Sequence, residues 1–124
     1  MAVTQAVVLI DHHSAQIQRL ADSGSERVKE HASHTRQHGS NVRSEHDFFS
    51  DVCDALASIG ETLVVGSRMA QADFRRYVEK HRPSLSPHLV GWETVDHPSP
   101  AQVMALARTF FERFDRMAGR PHSG

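Results

Sequence analysis

The residues most able to do chemistry in this chain are its histidines, ten of them among 124 residues. An imidazole changes charge near pH 6.5, ligates borderline metals and contacts phosphate when protonated. His31, His34 and His38 lie in or beside residues 32–43 (ASHTRQHGSNVR), which also carry Arg36 and Arg43 and no acid. That stretch is positively charged, more so as pH falls, and suits contacts to RNA phosphates. Its histidines are also close enough in sequence for zinc, nickel or copper, although no HExxH or Cys-x-x-Cys accompanies them.

Two further groups pair acids with histidines. Asp11-His12-His13 and Asp96-His97 are candidate ligands for a divalent metal, the one cofactor this sequence suggests. Arg75, Arg76, Lys80 and Arg82 make a basic helical face, a second candidate for RNA or ribosome contact. The lone Cys53 sits between apolar neighbours and reads as a core residue, and one cysteine excludes an intramolecular disulfide. Ser67 follows Gly66 without the G-x-S-x-G pattern of a serine hydrolase.

The elements that must position these groups can be read from apolar patterning. Residues 6–11 (AVVLID), an apolar run ending in an acid, and 62–65 (TLVV) are expected of strands buried on both faces. Residues 14–21 read as the antiparallel partner of the first strand, and residues 26–31 as a third strand polar enough for a sheet edge. Residues 32–43 have no apolar period and read as a loop. Ser44 then caps a helix whose face is Phe48, Phe49, Val52, Cys53, Leu56 and Ile59, ended by Gly60. A second helix spans 70–80, with Phe74, Tyr77 and Val78 inward, and a last strand spans 90–96. Ser99 caps the final helix, with Pro100 in its first turn and Gln102 completing a capping box. Its buried face is read as Val103, Leu106, Ala107, Phe110, Phe114 and Met117.

The order β-β-β-α-β-α-β-α, with right-handed crossovers, predicts an α/β fold of the ribonuclease-H-like type. It is a three-layer sandwich around a mixed five-stranded sheet of order 3-2-1-4-5, with strand 2 antiparallel. Residues 1–119 form one domain in this reading, and 120–124 a flexible tail. Strands 1, 3, 4 and 5 then end on a shared edge. That edge gathers Asp11-His12-His13, the histidine-rich loop, Gly66-Ser67 and Asp96-His97, and ligands of open α/β sheets bind outside strand carboxyl ends. One strand separates Asp11 from Asp96, which puts their backbones about 10 Å apart.

The unit ETLVVGSRMAQADFRRYVEKH at 61–81, the Asp-His turn after the first strand and the segment VGWETVDHPSPAQ resemble a known family. They are similar to the middle domain of the archaeal and eukaryotic class-one release factor and of Pelota. They also resemble small bacterial relatives known as translational machinery proteins. In the release factor, the loop between the third strand and the first long helix carries a Gly-Gly-Gln motif that promotes peptidyl-tRNA hydrolysis. The same slot here holds residues 34–41 (HTRQHGSN), where His38-Gly39 matches and Gly-Gly-Gln is missing. Pelota also lacks the triplet and acts without peptide hydrolysis. The resemblance therefore implies a non-enzymatic, translation-associated protein that binds RNA or the ribosome. The alternative is a metal-dependent hydrolase acting on phosphodiesters through the Asp/His edge. A cytoplasmic location is expected, since no apolar run nears the ~20 residues of a membrane span and no signal peptide is evident. A homodimer is left open.

Overall fold

A computed structural model describes residues 4–22, 24–29 and 40–119, and for 40–44 the backbone alone. Its sheet is open and mixed, with the order β3-β2-β1-β4-β5. The strands are β1 (Gln5–Ile10), β2 (Ser14–Arg19), β3 (Ser25–Lys29), β4 (Glu61–Gly66) and β5 (Leu89–Thr94). The helices are α1 (Ser40–Leu56), α2 (Arg68–His81) and α3 (Pro100–Met117), with a single 3-10 turn, Ser86–His88, leading into β5. β1 pairs antiparallel with β2 and parallel with β4, and β4 pairs parallel with β5. The expected topology is the observed one.

The continuous apolar runs are explained by two covered faces. Neighbouring side chains of a strand point to opposite sides of the sheet. Val8, Ile10 and Val64 pack under α1 and α2 with Phe48, Phe49, Val52, Cys53 and Phe74. Val7, Leu63 and Val65 pack under α3 with Val103, Ala107 and Phe111. Each fully buried phenylalanine contributes roughly 1.5–3 kcal/mol from area removed from water. β3 is nearly all exposed, as its SERVK composition requires of an edge.

Three boundaries and faces differ from the sequence reading. α1 starts at Ser40 rather than after Ser44. Nothing between them breaks a helix, and a polar first turn needs no apolar period to propagate. The same helix stops at Leu56, although Ile59 stays buried and its N–H donates to the Leu56 carbonyl. The α3 stripe is centred further round the helix than expected: Val103, Ala107, Phe111 and Asp115 are its buried residues, Leu106, Phe110 and Phe114 pack partly buried beside them as read, and Met117 is 83% exposed. Phe110 is partly buried and lies against Gly91, where an added β-carbon would sit 2.5 Å from the Phe110 ring. The Ser99–Gln102 capping box is present as read.

Candidate functional site

The carboxyl ends of β1, β4 and β5 meet at one edge, and an open cavity of about 370 Å³ lies there. Its walls include Asp11, Ser14, Arg27, Gly66, Ser67, Asp96 and His97. Each is placed by a simple device. β1 and β2 join through a two-residue hairpin loop, His12-His13, closed by a 2.9 Å bond from the Asp11 N–H to the Ser14 carbonyl. The Asp11 carboxylate accepts the His12 backbone N–H at 2.6 Å, so it braces the turn. Gly66 is required by close approach: a β-carbon there would lie 2.4 Å from the Ile10 carbonyl oxygen. Ser67 caps α2, accepting the Ala70 N–H at 3.2 Å. Buried Gln71 donates at 2.7 Å to both the Gly66 and Glu93 carbonyls and locks the ends of β4 and β5 together. Past β5, His97 takes a left-handed φ of 46°, uncommon for a residue with a side chain. Asp96 and His97 are almost wholly exposed and 3.5 Å apart.

The acid–histidine candidates divide into two places. Asp11, Asp96 and His97 line the cavity, whereas His12 turns toward the helices. His13 is exposed at the tip of the hairpin. His12 Nε2 is 3.0 Å from Asp73 Oδ2 on α2, and Arg76 Nη1 is 3.4 Å from the other oxygen, Oδ1. Glu45 on α1 joins them: one ligand atom from each of His12, Glu45 and Asp73 lies within 4.8 Å of the others. This trio could hold a cation. Neither Glu45 nor Asp73 stands out in the sequence as its partner, because 61 positions separate Asp73 from His12.

The basic face of α2 is partly neutralised. Arg75 pairs with Glu79 at 3.4 Å and stacks over Trp92 at 5.3 Å, and Arg76 pairs with Asp73. Arg82 turns inward to Ser50 and Asp54 at 3.0 and 2.8 Å and ties the end of α2 to α1. Lys80 is exposed. His31, His34, Arg36 and His38 lie outside the described residues, as does the side chain of Arg43, whose backbone is in the first turns of α1. Burial pushes the Cys53 thiol up to about 11, so it is protonated and unreactive at neutral pH.

The Pelota protein of Thermoplasma acidophilum superposes with a TM-score of 0.56 at 17% identity, over 89% of this chain and 32% of that one. Archaeoglobus fulgidus Pelota gives 0.54 at 18%, over 96% and 39%. An archaeal translation termination factor gives 0.55 at 15%, over 89% and 34%. The fold is the one these proteins carry as a part, and this chain spans about a third of their length. No family model and no curated protein matches the chain by sequence. Among the described residues no helix is long and apolar enough to cross a membrane.

Proposed function

We infer that this chain is a cytoplasmic, translation-associated domain that binds the ribosome or RNA through basic side chains and does not hydrolyse peptidyl-tRNA. The observation that carries this reading is the fold held in common with an archaeal translation termination factor and with Pelota across most of the chain. The segment between β3 and α1 supports it. In the release factor that slot carries the hydrolytic Gly-Gly-Gln; here it carries His31, His34, Arg36 and His38, with Arg43 just beyond, and no such triplet. Arginine forks and protonated imidazoles bind phosphate oxygens, and α2 adds Arg75, Arg76 and Lys80 on an exposed face. The residues through 119 act as one domain in this account. The motifs in residues 61–81 also support kinship with the small bacterial translational machinery proteins.

The second reading, a metal-dependent phosphodiesterase, draws on Asp11 and Asp96 lining one cavity. Two features count against it: Asp11 is engaged by backbone, and Asp96 is 97% exposed, which screens any field it supplies. Sedimentation with ribosomes, together with a peptide-release assay and an RNA-cleavage assay in magnesium or manganese, tests the choice. The expected result is cosedimentation without release or cleavage. Absence of cosedimentation at low salt overturns the ribosome reading, and cleavage lost in Asp11→Asn favours the second.

A further inference from the structure

We propose that His12, Glu45 and Asp73 form a site for one divalent transition-metal ion, zinc above all, that clamps the β1–β2 turn to α1 and α2. The three donors come from three different elements and meet within 4.8 Å. They supply one imidazole nitrogen and two carboxylate oxygens. That mixture disfavours magnesium and calcium, which take oxygen ligands alone, and suits zinc with its fourth position open to water. Zinc bonds of 2.0–2.1 Å in a tetrahedron place ligand atoms roughly 3.3 Å apart. His12 Nε2 and Asp73 Oδ2 stand at 3.0 Å, and small side-chain rotations bring in the third donor.

The surroundings match a metal site better than an ordinary ion pair. Arg76 holds Asp73 by Oδ1 and leaves Oδ2 for coordination, the outer-shell arrangement that orients a ligating carboxylate. Glu45 makes no hydrogen bond or ion pair among the described residues, yet sits beside a second carboxylate. A simple His12–Asp73 pair gives it no reason to be there, whereas a shared cation does. His12 and Asp73 are 29% and 28% exposed, shielded yet open to an ion from solvent. These residues are separate from the cavity at the strand ends, and zinc binding there does not depend on ribosome binding.

Titration of the tag-free full chain with zinc sulfate tests this, read by calorimetry and by thermal unfolding. A His31→Ala/His34→Ala/His38→Ala background prevents the histidine-rich segment from supplying the ligands. The expected result is one zinc per chain and an unfolding midpoint raised by roughly 5–15 °C at a hundredfold excess over Kd. His12→Ala, Glu45→Gln and Asp73→Asn should each weaken binding about tenfold or more. Glu45→Gln is the decisive variant, since it removes no other bond and keeps the fold. No zinc bound in the background chain, or unchanged affinity in Glu45→Gln, overturns the proposal.

Discussion

Carboxylates cluster at both ends of the sheet, and they are handled in opposite ways. At the amino ends of β1 and β4, one neutral amide serves two acids: Gln5 Nε2 donates to Glu61 at 3.0 Å and to buried Asp115 at 2.9 Å. At the carboxyl ends, Asp73 is served by an imidazole and a guanidinium that reach it from the β1–β2 turn and from its own helix, and Glu45 stands beside them. The first arrangement turns on a neutral amide, which is a poor metal ligand. The second brings an imidazole and two carboxylates within 4.8 Å of one another, a set that can hold a cation. The lower end of the sheet therefore serves to hold α3 in place, and the upper end is where exchangeable chemistry is concentrated.

Substitutions at the two ends sharpen this contrast. The largest effect is expected at Gly66, which carries the upper edge. Gly66→Ala drives a β-carbon against the Ile10 carbonyl at a backbone angle unfavourable to side chains, and should lower stability by about 2–3 kcal/mol in denaturant unfolding. At the lower end, Gln5→Leu strips the amide donor from Glu61 and buried Asp115 and should cost about 1–3 kcal/mol, with or without zinc. Beside it, the Thr62 hydroxyl is buried and finds no hydrogen-bond partner among the described residues. Thr62→Val should be neutral or stabilise by up to about 1 kcal/mol. The smallest effect belongs to Asp73→Asn without metal, under about 1 kcal/mol for a part-exposed pair. An Asp73→Asn cost larger than that of Gln5→Leu, measured without metal, would break the comparison.

The architecture was legible because it is written in local patterns. AVVL and LVV, apolar at every position, demanded cover on both faces, and the short first hairpin fixed β2 as antiparallel. Helix α3 shows where that legibility stops. Three phenylalanines at 110, 111 and 114 allow the apolar stripe to run to either side. The buried side holds Phe111 and Asp115, and Asp115 accepts a hydrogen bond from Gln5, 110 positions away, a contact no local pattern shows. The side that buries Asp115 leaves Met117 in water. The cavity edge could be anticipated from topology, since strand direction alone brings Asp11, Ser67 and Asp96 together. The His12–Glu45–Asp73 group could not, because no local period links a turn to the faces of two later helices.

In the proposed ribosome or RNA contact, the electrostatic part falls on the basic residues between β3 and the first turn of α1, Arg36 and Arg43 above all. Its direct test is the salt dependence of ribosome binding, from about 50 to 200 mM, for the native chain and for an Arg36→Gln/Arg43→Gln variant. The native chain should bind at low salt and weaken steeply as salt rises. The variant should bind more weakly, with a log–log salt slope shallower by about two and an unchanged unfolding midpoint. Equal affinity and equal slope for the two proteins, or no binding by the native chain at the lowest salt, would contradict it.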